Sequence, residues 1–168
     1  VPQWSFGIRP ETVQKNVNAA RDAGAQIVVL LSHNGFDVDQ KLATVVTGID
    51  VILTGHTHDA VPQALKINKT LLLSSGSHGK YLGRIDLDVK GGEVVDYSST
   101  LIPVFSDVIT PDPEMSAHID ALRAPYEAEC NRVIGSTSGL LYRRGNFNGT
   151  WDDLICQGII EERDVEIS

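Results

Sequence analysis

Cysteine is scarce: the 168 residues hold only Cys130 and Cys156, with no C-x-x-C spacing. That argues against a thiolate metal site or a redox pair, and two buried free thiols in helix-like segments are expected. Long apolar runs are missing too. No stretch approaches the ~20 apolar residues that cross a bilayer, and residues from Val1 onward carry no basic-then-apolar export signal. Basic residues are outnumbered, 14 Lys and Arg against 22 Asp and Glu, giving a net charge of −8 and a pI near 5.0. That balance disfavours a nucleic-acid or anionic-membrane surface, although a local cationic pocket around metals is compatible with it. There is no internal repeat and no low-complexity segment.

What is present is globular in kind. Hydrophobic residues make up 42% and charged residues 21%, enough to build a sizeable core. The first residue is Val1 rather than Met, and residues 164–168 read as a strand stopped in mid-course. The chain is therefore expected to be an internal piece of a longer protein.

Pro10 and Glu11 open a helical pattern carried by Val13, Val17 and Ala20, and Gly24 stands at its end. An apolar strand, residues 26–31, follows. Asp37 is placed to cap a second helix over residues 39–47, with Leu42, Val45 and Val46 on one face and Gly48 beyond it. Strands at 50–53 and 70–73 come next. Nearly all-apolar strands alternating with short helices predict an α/β fold whose parallel sheet is covered on both faces. Residues 82–89 then alternate, and Lys90-Gly91-Gly92-Glu93 predicts a hairpin turn. Residues 103–113 read as a linker, residues 114–133 as one long helix, and residues 151–162 as another.

Three of the five histidines gather where strands end. Ser32-His33-Asn34-Gly35 follows one apolar strand and Gly55-His56-Thr57-His58 follows the next. Right-handed crossovers put both loops at one edge of a parallel sheet, beyond the carboxyl ends of its strands, where ligands bind. Neutral imidazole is a common ligand of divalent transition metals, so His33, His56 and His58 are candidate metal ligands. Asp37 and Asp39 are accounted for as helix-start residues, and Asp59 as a support for a histidine. His78, in Ser77-His78-Gly79 after the third strand, is open to either a substrate-facing or a structural role.

Leu31-Ser32-His33-Asn34-Gly35 followed by Gly55-His56-Thr57-His58 resembles the second half of a calcineurin-like metallophosphoesterase domain in the 5'-nucleotidase arrangement. Longer strings at residues 30–39, 76–80, 123–126 and 141–150 resemble the SoxB thiosulfohydrolases of bacterial sulfur oxidation. This resemblance implies the C-terminal part of an αββα sandwich over residues 1–104, a linker and interdomain helix over 105–134, and the start of a C-terminal α/β substrate domain over 135–168. It implies two divalent ions, manganese with zinc as the other candidate, His33 and His56 on one and His58 on the other. The remaining ligands and the catalytic histidine are expected before Val1, so this stretch alone is expected to be inactive. Arg143 and Arg144, with Asn146 and His78 assisting, would hold an anionic substrate group through guanidinium hydrogen bonds; a solvated basic pair is the plain alternative. The implied reaction is release of sulfate from a cysteine-S-thiosulfonate on the SoxYZ carrier protein, in the periplasm. A 5'-nucleotidase-like phosphoesterase and a non-catalytic metal- or carrier-binding module are the alternatives.

Overall fold

A computed structural model of the chain describes residues 7–143 and 149–166. It forms two compact units, residues 1–111 and residues 112–168.

In the first unit, helix α1 (Pro10–Asp22) begins on Pro10, whose missing N–H costs nothing in a first turn, and stops at Ala23 before Gly24 turns left-handed. The end of α1 is tied to the sheet by Arg21. Its guanidinium donates to the carbonyls of Gln26 and Gly48 and pairs with Asp50 at 2.5 Å, and Asp50 also accepts from the Val28 amide.

Four short strands follow: β1 (Val29–Ser32), β2 (Val51–Thr54), β3 (Leu65–Ile67) and β4 (Thr70–Ser74). Their order is β1-β2-β4-β3, the first three parallel and β3 antiparallel at the edge. The sequence reading did not anticipate β3. Its Leu65-Lys66-Ile67 is too short and too polar to stand out by periodicity alone. Helix α2 (Phe36–Val45) connects β1 to β2.

The expected capping of α2 is corrected. The N-cap is Gly35 at φ +102°, not Asp37, and Asp39 is a wholly buried residue inside the helix rather than its first. The helix also ends at Val45, because Val46 is already extended.

One face of the sheet is covered by helices and the other by a hairpin. Val17 of α1 and Leu42, Ala43 and Val46 close over Ile49, Ile52 and Leu72. On the opposite face Val51, Leu71 and Leu73 meet Ile85, Leu87 and Tyr97 of β5 (Tyr81–Lys90) and β6 (Glu93–Pro103). The hairpin turns at Gly91 and Gly92, both at positive φ, as a two-residue connection between right-twisted strands requires.

In the second unit Asp112 caps α3 (Pro113–Arg123) by accepting from the Met115 amide. The single long helix expected over 114–133 is broken. Pro125 has no N–H for the carbonyl of Ala121, and Ala124–Tyr126 tightens into a 3-10 turn before the short α4 (Glu127–Cys130). Helix α5 (Thr150–Arg163) ends on Asp164 in the left-handed region, so residues 164–166 do not form the expected strand; 167 and 168 lie outside the described residues. The cysteines are free, but the expectation that both are buried fails: Cys130 is exposed and Cys156 half-buried, since no residue of α3, α4 or α5 is fully buried.

Leu72 is 0% exposed at the centre of the sheet. Leu72→Ala is expected to destabilise the first unit by about 2–5 kcal/mol, read as a lower urea midpoint at unchanged slope.

Candidate metal centre

The parallel register sets three hydroxyl residues in a row: Ser32 pairs with Thr54, and Thr54 with Ser74. Each is the last residue of its strand, and each is followed within four residues by a histidine. His33 comes directly after β1, His56 and His58 after β2, and His78 after β4. The ladder runs one step further at the first junction, where the Gly55 amide donates to the Ser32 carbonyl at 3.0 Å. The imidazoles then meet in two edge-to-face pairs, His33 with His56 at 5.1 Å between ring centroids and His58 with His78 at 5.6 Å.

The loops carry backbone strain at the histidines themselves. His56, His58 and His78 have φ of 86°, 61° and 59°, a region that non-glycine residues seldom occupy and that costs of order 1–3 kcal/mol each. Polar ties hold the turn in place. Thr57 Oγ1 accepts from the Phe36 amide at 3.1 Å and donates to Asp59 Oδ2, while the Asp59 carbonyl accepts from Ser74 Oγ and the Gly76 amide. Asp59 thus anchors the loop to β4; none of its described hydrogen bonds goes to a histidine.

All four imidazoles are exposed, and no three His, Cys, Asp or Glu side chains among the described residues converge to enclose a metal ion. Paired imidazoles with room on the solvent side suit a borderline divalent cation whose coordination is completed by other groups. The donor set fits part of a metal centre. Asp37 is exposed on α2, and both oxygens of Asp39 are engaged by hydrogen bonds.

Arg143 lies in the second unit, where its Nε donates to Asp152 at 3.0 Å. The same turn is closed by the Tyr142 amide on Thr150 Oγ1 and by the Trp151 amide on the Tyr142 carbonyl. Arg144 and Asn146 lie outside the described residues. A cavity of about 570 Å³ in the first unit, lined by Arg21, Asp50, Lys69 and Glu93, sits by the first residues of β2 and β4, away from the histidines. Four of its charged residues pair, Arg21 with Asp50 and Lys69 with Glu93, and Lys66, also in the lining, lies over the Tyr97 ring.

Sequence reasoning missed Asp39. Its signal was there: Asp39, Leu42, Ala43 and Val46 are spaced i, i+3, i+4, i+7, so an acidic residue opens the buried stripe of α2.

A mixed sheet with helices on one face, a hairpin on the other and imidazole loops at the strand ends has the fold of a calcineurin-like metallophosphoesterase in its 5'-nucleotidase form. The solved structures agree. The sulfate thiohydrolase SoxB of Thermus thermophilus matches with a TM-score of 0.86 and 33% identity, over 95% of this chain and 30% of that one. A 5'-nucleotidase precursor, also from Thermus thermophilus, matches with a TM-score of 0.82 and 23% identity, over 94% of this chain and 36% of that one. Among curated proteins, the trifunctional nucleotide phosphoesterase YfkN of Bacillus subtilis is 30% identical over 133 residues, 76% of this chain and 9% of its own length. No protein-family profile matches. The chain thus spans little more than a third, or less, of the length of these three proteins. Together these likenesses support the 5'-nucleotidase group of metallophosphoesterases.

Gly35 is the point where the first loop approaches the second. A Cβ there would lie 2.8 Å from Thr57 Cγ2, on a backbone at φ +102°. Gly35→Ala is expected to lower the thermal midpoint and to weaken divalent-metal uptake by the full-length protein at least severalfold, followed by calorimetric titration.

Proposed function

We propose that the protein to which this chain belongs is a metal-dependent hydrolase of sulfur oxidation, releasing sulfate from a cysteine-S-thiosulfonate on the SoxYZ carrier. The observation that carries this is the 33% identity to a SoxB sulfate thiohydrolase, sustained over 95% of the chain at a TM-score of 0.86. The solved 5'-nucleotidase shares nearly the same backbone at 23% identity, so the preference rests on side chains rather than on fold.

The reaction balances without a redox partner. Water adds across the bond between the sulfane and sulfonate sulfurs; oxygen joins the sulfonate sulfur to make sulfate, the sulfane sulfur leaves on the carrier as a persulfide bearing one proton, and the second proton of the water is released to solvent. His33 and His56 would hold one divalent ion and His58 the other, manganese being the proposed metal and zinc the other candidate. When bound, such ions supply Lewis-acid activation of water and neutralise charge on the departing group. His78, edge-on to His58, is proposed to face the anionic substrate. Arg143, oriented through Nε by Asp152, is proposed to bind the sulfonate with its guanidinium fork, and Arg144 and Asn146 are proposed to share that anion.

No helix among the described residues is long and apolar enough to cross a membrane. A periplasmic site of action is part of the proposal and follows from the likeness to a SoxB thiohydrolase.

A second reading has its own observation. YfkN, a nucleotide phosphoesterase, is 30% identical over 133 residues, so phosphate-ester hydrolysis on the same centre is the rival. The deciding assay gives the manganese-loaded full-length protein a carrier bearing cysteine-S-thiosulfonate in one reaction and AMP in another. Sulfate release exceeding phosphate release at least tenfold, and lost in His56→Ala, is expected. Phosphate without sulfate would overturn the proposal in favour of the nucleotidases.

A further inference from the structure

The Asp39 carboxyl group has no exposed surface. Its Oδ1 accepts from Ser32 Oγ at 2.8 Å and Asn34 Nδ2 at 3.1 Å, and its Oδ2 accepts from Thr54 Oγ1 at 2.5 Å. Ser32 and Asn34 are the residues on either side of His33, and Thr54 stands two residues before His56. One carboxylate therefore grips both loops that carry the closer imidazole pair. No Lys or Arg pairs with it among the described residues, so its charge is met by neutral donors alone. A buried carboxylate in that state is costly unless a cation lies nearby, and its hydrogen-bond partners flank His33 and precede His56 in the chain.

We propose that Asp39 is the positioning residue of the metal centre. It sets the separation of His33 and His56 through Ser32, Asn34 and Thr54, and its negative charge favours cation binding at the pair it positions. The inference rests on the metal-binding part of the function proposed above and not on the choice of substrate. A residue serving only the fold would contribute to stability whether or not metal were present. A positioning residue must also change how tightly and in what geometry the metal is held.

The test uses the full-length protein and two variants. Asp39→Asn keeps the shape and removes the charge; Thr54→Val keeps the charge and cuts only the tie to β2. Manganese affinity is measured by calorimetric titration, ligand geometry by the absorption spectrum of the cobalt-substituted protein, and folding by circular dichroism of the metal-free form. The expected result is a roughly 10- to 100-fold loss of affinity in Asp39→Asn, a smaller loss in Thr54→Val, and an altered cobalt spectrum in both. Affinity and spectrum unchanged from wild type in the folded variants would overturn the inference. If Asp39→Asn does not fold, Thr54→Val alone decides it by the same two readouts. A wild-type protein that takes up no metal would overturn both this inference and the proposed function. Phosphate release in place of sulfate would sink the thiosulfonate reading and leave Asp39 untouched.

Discussion

The register of β1, β2 and β4 is the constraint on which the rest depends. Parallel pairing aligns Ser32, Thr54 and Ser74, so each chain leaves the sheet at the same level and each following histidine starts from a common line. A slip of one residue would turn Ile52 and Leu72, both with no exposed surface, out of the helix-covered core. Burial of those two side chains on one face, and of Val51, Leu71 and Leu73 on the other, therefore locks the register from both sides. The metal-side geometry inherits its accuracy from a hydrophobic core that contains none of the site residues.

Accuracy at the strand ends is not enough, because the histidines lie on loops. Three of the four candidate imidazoles sit on left-handed backbone, a conformation held there against its intrinsic cost by Thr57, Asp59 and the Ser74 hydroxyl. The two loop-facing carboxylates divide the labour by burial. At the half-exposed rim the Asp59 carboxylate accepts from Thr57 within the second loop, whose tie to β4 is the Asp59 backbone carbonyl, while the Asp39 carboxylate works from inside α2 and ties the first loop to the second strand.

The parts legible in the sequence were those with strong local signals. The apolar strands, the Pro10 helix start, the diglycine hairpin and the histidines after β1 and β2 each announce themselves within a few residues. What stayed hidden depends on tertiary partners. Asp37 and Asp39 both look like helix-start residues, and only the position of the sheet makes one exposed and the other fully buried. Strand β3 exists because β4 offers it an edge, not because Leu65-Lys66-Ile67 demands extension. Pro125 was visible, yet the flanking helical residues outweighed it in a reading by composition; the missing N–H prevailed.

The choice between sulfonate and phosphate chemistry cannot reside in this histidine edge. Both groups present a tetrahedral centre ringed by anionic oxygens, and paired imidazoles with open positions serve either. Discrimination has to come from side chains that contact what is attached to the tetrahedral group: a protein-borne sulfur chain in one case, a nucleoside in the other. The turn before α5, where Asp152 orients Arg143 and Thr150 closes the backbone, offers donors suited to the oxyanion instead. A guanidinium positioned by its own carboxylate offers directional donors to a sulfonate or a phosphate oxyanion alike. Recognition of the anion therefore leaves the two chemistries undivided, and the proposed preference for a thiosulfonate rests on the 33% identity to a sulfate thiohydrolase, against 23% for a nucleotidase that shares the backbone.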